Sequence, residues 1–330
     1  MTSMMDRRTF VVALTGALLA GSLPAEAQPA GKRWRIGWLS PASAATDAYE
    51  LEALLAGLGK LNYVQGQTIT VEARWGEGDA RRLPELARAL VKSNVDILCT
   101  SGTPATVAAR EATKTIPIVF GRAAFPEQTG LVASLARPGG NLTGVTFIGP
   151  EYGKRLEFLL EVSAKIHRIA LLYNDHNAAS IRAMNETLEW AKTLRVVVEP
   201  LGVHDNVSLQ AALASIRQGK PDAFLTTADP LLASYRVLIA KFASDHRIVA
   251  MYGDRAYVKA GGLMFYGTST TDMWRHAAAH VDRILKGAKP GDLPVEQPKE
   301  FELQINLKTA KALGLTIPPS LLQRADQLID

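Results

Sequence analysis

A single cysteine, Cys99, occurs in the 330 residues. An internal disulfide and a cysteine-based metal cluster are therefore excluded. Set in the apolar run DILCT, it reads as a small buried thiol. No block of Lys and Arg is present of the kind that tracks nucleic acid, and the formal charge of +5 is mild, with both signs interspersed. A nucleic-acid partner is not expected. The turn TSGTP at 100–104 lacks the G-x-x-x-x-G-K-[ST] pattern, and no lysine follows to reach a phosphate. Neither GLVASLARPGG nor AGGLMFYG matches G-x-G-x-x-G after a first strand, so a dinucleotide site is unsupported. His276 and His280 stand four apart, but Ala-Ala-Ala fills the interval where zinc-protease chemistry needs H-E-x-x-H. The remaining histidines, His167, His176, His204 and His246, fall in loops or at element ends and read as solvated. No G-x-S-x-G elbow is present. These absences predict no catalytic residue, no metal and no cofactor.

The N-terminus carries an export pattern. Arg7-Arg8 form a short basic head, an apolar run follows from Phe10 to Leu23, and Ala25-Glu26-Ala27 makes a small-x-small ending. Residues 1–27 are expected to be a signal peptide of the twin-arginine type, cleaved near Ala27, with Met1 or Met5 as the start. The apolar run is too short for a comfortable membrane span. No cysteine follows it, which argues against a lipoprotein. The expected location is the periplasm.

The rest of the chain is long for one core, so two domains are expected. Short β-rich apolar runs alternate with amphipathic stretches, which argues for parallel sheets with crossover helices. In the first half the strands are read at 35–40, 69–75, 96–100 and 116–121, with helices at 46–61, 80–93 and 104–113. Leu51, Leu54, Leu55 and Leu58 form the apolar stripe of the first helix. The second half repeats the plan, with strands at 168–174, 195–201, 222–229 and 247–253 and helices at 178–193, 207–218 and 230–245. Gly/Pro-rich stretches at 135–155, 261–270 and 287–299 read as three crossings between similar lobes. A final strand at 301–307 and a helix at 308–314 lead into a Pro-Pro tail. The expected division is 33–146 with 269–290 for one lobe and 147–268 with 291–330 for the other.

In open parallel sheets, ligands sit beyond the carboxyl ends of the strands, and two facing lobes turn that edge into a cleft. The candidate ligand residues are therefore those that follow each strand. From the first half these are Ser40, Ser43, Thr100, Gly102, Thr103, Arg122, Ala123 and Phe125. From the second half they are Asn174, Ser180, Asp229 and Tyr252. Helix N-termini with hydroxyls suit a carboxylate. Arg122 reads as an anion partner, Asp229 as a counter-charge for an ammonium, and Tyr252 as a stacking wall. Thr103 and Asp229 each precede a Pro at a helix start, so each reads equally as a cap of its own helix.

The runs SGTPA, IPIVF, GLVASLARPGGNLTG, AGGLMFYG and HVDRILKGAKPGDLPVEQPKEFELQINLKTAKALGLTIPPSLLQRAD resemble the ABC-transporter substrate-binding proteins of the TrpX-like group. The resemblance covers essentially the whole chain after residue 27. It implies a type 1 periplasmic-binding-protein fold: α/β, with two Rossmann-like lobes of parallel sheet, three crossovers and a ligand in the cleft. It also implies a small-molecule ligand, a transient partner in an ABC permease at the inner membrane, and a monomer. The expected function is capture, by lobe closure, of a small carboxylate-bearing solute, an amino acid or an aromatic or organic acid. That cargo is read from the cleft candidates, where the low-polarity Ala42, Ala105, Ala123 and Phe125 stand with hydroxyls and one Arg. The alternative is a periplasmic sensor presenting its ligand to a membrane receptor. One loop departs from the family pattern. An Asp is expected directly before Pro126, and Phe125 stands there instead, which puts a simple carry-over of amino-acid specificity in doubt.

Overall fold

The computed structural model describes residues 32–147, 151–298 and 300–330. The expected export segment, residues 1–27, lies outside them. Among the described residues no helix is long and apolar enough to cross a membrane. The first sheet contains β1 (Trp34–Ser40), β2 (Ile69–Trp75), β3 (Ile97–Thr100), β4 (Ile118–Phe120) and β5 (Leu142–Gly144), in the order β2-β1-β3-β4-β5. All its pairings are parallel. β3 and β4 are buried along their whole length. Strands covered on both faces must be apolar throughout, hence their continuous apolar runs. α1 (Ala44–Gly59), α2 (Leu83–Lys92) and α3 (Gly102–Ala112) connect these strands.

The second sheet contains β6 (Arg168–Asn174), β7 (Val197–Val203), β8 (Ala223–Thr226), β9 (Val249–Tyr252), β10 (Met264–Gly267), β11 (Glu302–Asn306) and β12 (Gln327–Ile329). Their order is β12-β11-β10-β9-β8-β6-β7, and only the β10–β11 pair is antiparallel. The helices of this half are α4 (Glu151–Val162), α5 (Ala178–Leu194), α6 (Asn206–Gly219), α7 (Pro230–Ser234), α8 (Arg236–Asp245) and α9 (Ala256–Lys259). α10 (Thr270–Leu285), α11 (Leu307–Ala312) and α12 (Pro319–Arg324) follow. The predicted helix over 230–245 is two helices. The Tyr235 N–H turns back to the carbonyls of Leu232 and Ala233, and Arg236 bonds the Ala233 carbonyl from its side chain. The Pro-Pro tail, to which the sequence reading assigns no element, forms α12 and β12. Pro319 occupies the first turn of α12, where its missing N–H is no loss.

The chain passes between the sheets three times: from β5 into α4, from β10 into α10, and on the way to β11. After β10 it returns to the first lobe, because α10 packs on α1. Leu54 and Leu58 share one apolar cluster with Met273, Trp274, Ala277 and Val281. A Cβ on Gly57 would lie 2.7 Å from the Ala278 Cβ, so glycine there permits the close approach of the two helices. Where the sequence reading crosses at 290, the chain keeps to the first sheet as far as Glu296. Val295 N donates to the Leu135 carbonyl (2.8 Å), Glu296 N to Gly144 (2.9 Å), and Thr146 N to Glu296 (2.9 Å).

Candidate functional site

Both sheets change direction of strand order beside their first strands, β1 against β3 and β6 against β8. Such switch points leave a crevice at the carboxyl ends of the strands. The turns that follow β3 and β8 meet there. A Cβ on Gly102, which has φ +78°, would lie 2.8 Å from Pro230 Cγ. The two similar turns, SGTP and TADP, thus touch across the cleft.

Behind the first turn lies a buried charge cluster. Arg122 bonds Glu50 with one terminal nitrogen and Asp254 with the other, the latter at 2.8 Å. Glu50 also accepts from Ser101 Oγ (2.6 Å) and Trp274 Nε1 (2.8 Å). Glu50 comes from α1 and Arg122 from the turn after β4, whereas Asp254 follows β9 in the other sheet. This ion pair therefore crosses the cleft. Arg122 is neutralised by two carboxylates, so it can serve a ligand anion only by giving one of them up. That corrects its reading as a free anion partner. Asp47, one turn before Glu50, accepts from Ser40 Oγ at 3.0 Å. Burial, and then the neighbouring Glu50 charge, push its carboxyl up to about 8.

The second-lobe candidates come together in one network. Asp229 accepts from Asn177 Nδ2 (2.7 Å), Asn174 Nδ2 (3.1 Å), Leu231 N (2.9 Å) and Leu232 N (3.3 Å). Burial raises its carboxyl above the usual range, and the two asparagine amides and the helix N–H groups oppose that rise. Oδ1 takes three of these bonds and Oδ2 one, so Asp229 caps α7 and braces the lip, and with Asn174 it also lines the outer mouth of the cleft. Ser180 Oγ binds Asn174 N (2.9 Å) and Thr227 Oγ1 (2.7 Å). Tyr252 lies elsewhere. Its ring is fully buried in the second-lobe core, stacked 4.4 Å from Tyr257 and edge-on to Phe224, so it presents no wall to the cleft.

The first-lobe candidates divide. Ser43 caps α1, sharing a capping box with Thr46. Thr100 turns away from the cleft to Thr106 Oγ1 (2.9 Å). Thr103 Oγ1 accepts from Ala124 N (3.2 Å) and so pins the turn after β4. Ala123 is core. Phe125 sits at φ +51°, a left-handed conformation that a bulky residue adopts only when its surroundings impose it. Its ring stacks on Tyr152 (6.0 Å, 14° between planes) beneath the Arg182 guanidinium, with Ala179 and Ala183 in the same cluster. The residue directly before Pro126 is thus an apolar plug set into the other lobe. Cys99 is fully buried, and burial pushes its thiol up to about 12.

Deeper in the cleft, Arg122, Phe147, Glu151, Arg155, Ala228, Gly253, Thr268, Thr270 and Met273 enclose a cavity of about 10 Å³. Glu151 is 1% exposed and its Oε2 has no hydrogen-bond partner among the described residues. Arg155 spends only Nε, on the Tyr266 carbonyl at 2.7 Å. Sequence reasoning passed over both, because they lie on a helix behind a crossing rather than after a strand. The outer mouth is a pocket of about 300 Å³, lined by Pro41, Glu77, Asp79 and Arg81 on one side and His176, His204, Asp205 and Tyr235 on the other.

A family model described as ABC transporter substrate binding protein matches residues 44–329. A tyrosine-binding protein of Clostridioides difficile (strain R20291) is 27% identical over 265 residues, covering 80% of this chain and 76% of the relative. The structure of an ABC domain in complex with L-Trp from Streptococcus pneumonia superposes with a TM-score of 0.85 at 26% identity, covering 90% of this chain and 100% of that one. A leucine-binding protein from Thermotoga maritima shares the fold, with a TM-score of 0.57 at 15% identity over 77% of this chain and 83% of its own. The two lobes, the three crossings and the facing switch points are those of the type 1 periplasmic-binding fold, and the chain belongs to the ABC transporter substrate-binding protein family.

Proposed function

We propose that this protein is the exported solute receptor of an ABC importer. It closes its lobes on a small carboxylate-bearing solute, an amino acid or an aromatic or organic acid, and passes it to a membrane permease. The observation that carries this reading is the pair Glu151 and Arg155 in the inner cleft. The terminal nitrogens of Arg155 make no hydrogen bond among the described residues, and the partnerless oxygen of Glu151 lies in the same cavity. Burial raises the Glu151 carboxyl, and Arg155 opposes the rise. A guanidinium with free donors matches a carboxylate. A carboxyl beside it accepts from an ammonium when ionised, or donates to a second oxygen when protonated. The binding of tyrosine and L-Trp by relatives supports an amino acid as the cargo and binding without turnover. The lobes divide, on this reading, as 33–146 with 269–296 and 147–268 with 297–330.

Calorimetry and thermal shift with L-Trp, L-Tyr, L-Phe and aromatic acids are expected to show one such solute bound per chain. Arg155→Met is expected to weaken that binding by roughly tenfold or more, the worth of a charged hydrogen bond. No shift with any carboxylate, or chemical turnover of one, would overturn the reading. The basic head and apolar run before Ala27 support export. The secreted protein is then expected to begin near Gln28 on N-terminal sequencing, and a start at Met1 or Met5 would contradict this.

A further inference from the structure

β6 and β7 pair in parallel, with Tyr173 opposite Gly202 and Asn174 opposite Val203. The chains leaving these strands start side by side and bring Asp175 and His176 against His204. Glycine at 202 makes room for this, since a Cβ there would stand 2.6 Å from Asp175 Oδ2. Asp175 Oδ1 meets His204 Nδ1 at 3.0 Å, and the rings of His176 and His204 stack with centroids 4.3 Å apart and planes 10° apart. One donor atom from each of the three side chains lies within 4.8 Å of the others. The backbone beneath them is pinned, with His176 N on Asn174 Oδ1 (3.0 Å) and His204 N on Ser208 Oγ (2.9 Å).

We propose that Asp175, His176 and His204 bind a divalent late transition-metal ion of the Zn²⁺ class at the mouth of the cleft. Two imidazoles and one carboxylate favour Zn²⁺, Ni²⁺ or Cu²⁺ over the oxygen-seeking Ca²⁺ and Mg²⁺. Tetrahedral zinc with bonds of about 2.0–2.1 Å holds its donors about 3.3 Å apart. The Asp175–His204 contact at 3.0 Å has only a few tenths of an ångström to open. Asp205 Oδ2 lies 4.0 Å from His204 Nε2, on the far side of the ring. At that distance it makes no hydrogen bond and contributes only a negative charge beside Nε2. Glu77 and Asp79 of the other lobe line the same mouth, and Arg81 is held there by Asp79 at 2.8 Å. Asp79 is already engaged by Arg81 through both of its oxygens.

The test is titration of Zn²⁺ and Co²⁺ into the untagged, chelator-stripped full-length mature protein, followed by calorimetry, native mass spectrometry and the visible spectrum of the cobalt form. One ion per chain is expected, with cobalt bands showing nitrogen ligation. His176→Ala/His204→Ala is expected to lower the affinity at least about tenfold while leaving the metal-free melting temperature unchanged, since both rings are exposed. Asp175→Asn is expected to weaken binding while keeping the stacked rings. Absence of stoichiometric uptake by the wild type at micromolar concentration would overturn the proposal. So would equal uptake by the double variant, which would assign the ion to another histidine such as His276.

Discussion

Arg122→Met is expected to destabilise the protein by about 3–5 kcal/mol, the cost of stranding buried charge when one partner of a buried pair is removed. The Arg122 side chain is 4% exposed, and the carboxylates it bonds, Glu50 and Asp254, are 0% and 1% exposed. Without the guanidinium, Glu50 keeps Ser101 Oγ and Trp274 Nε1, and Asp254 keeps Ala256 N at 2.8 Å. Those neutral donors do not offset a lost cation in a site closed to water. For a chain of this size the melting temperature falls by roughly 10 °C. Arg122→Lys rescues little, because an ammonium cannot fork to two carboxylates on opposite sides. Two further variants separate folding from closure. Glu50→Gln acts within one lobe, and its effect belongs mainly to stability. Asp254→Asn cuts the bond between lobes, and its effect belongs mainly to the separation of the lobes in small-angle scattering. An Arg122→Met melting temperature within about 2 °C of the wild type would mean that water reaches the cluster and the charges are not stranded.

This cluster also shows where sequence reading stops. The strands at 69–75 and 168–174 match β2 and β6 residue for residue: the first opens on three β-branched residues, Ile69, Thr70 and Val71, and the second is a short apolar run closed by a turn. The stripe on α1 was only half visible. Its leucines face the core or its edge, but the buried face continues through Asp47 and Glu50, which look like solvated residues in the sequence. Their partners are far along the chain, with Arg122 72 residues from Glu50 and Asp254 132 residues from Arg122. No local pattern records such pairings. The rule that ligand residues follow strands singled out the turns after β3 and β8, which the fold brings face to face, since it rests on sheet topology alone. It left Asp229 open between a helix cap and a ligand contact, and the structure has it capping its helix while lining the cleft mouth. It misplaced Tyr252, because one residue of strand alternation decides between cleft and core. It also separated His176 from His204, which become neighbours only through the β6–β7 register.

Asp47→Asn is expected to stabilise the protein, and to do so more at pH 8 than at pH 5. Asp47 is 2% exposed and its carboxyl is pushed up to about 8, first by burial and then by Glu50, against the smaller pull of Arg122 and Ser40. In the unfolded chain the same group titrates near 3.8. Between these two values the folded state holds a proton that the unfolded state has released. Stability from this residue is therefore greatest below about pH 4 and is lost as the pH rises towards 8. The first turn of α1 favours a negative charge by about 0.3–1 kcal/mol, which is too little to outweigh burial beside a second carboxylate. The asparagine keeps an acceptor for Ser40 Oγ, which now donates at 3.0 Å, and gives Glu50 an amide in place of a competing charge. Its gain is on the order of 1–2 kcal/mol at pH 5 and several kcal/mol at pH 8, where the shift spans about four pKa units at about 1.4 kcal/mol each. Urea denaturation of both proteins at pH 5 and pH 8 measures the difference. A variant less stable than the wild type at both values, with the same pH slope, would show that Asp47 is ionised in the folded protein and that its charge is needed there.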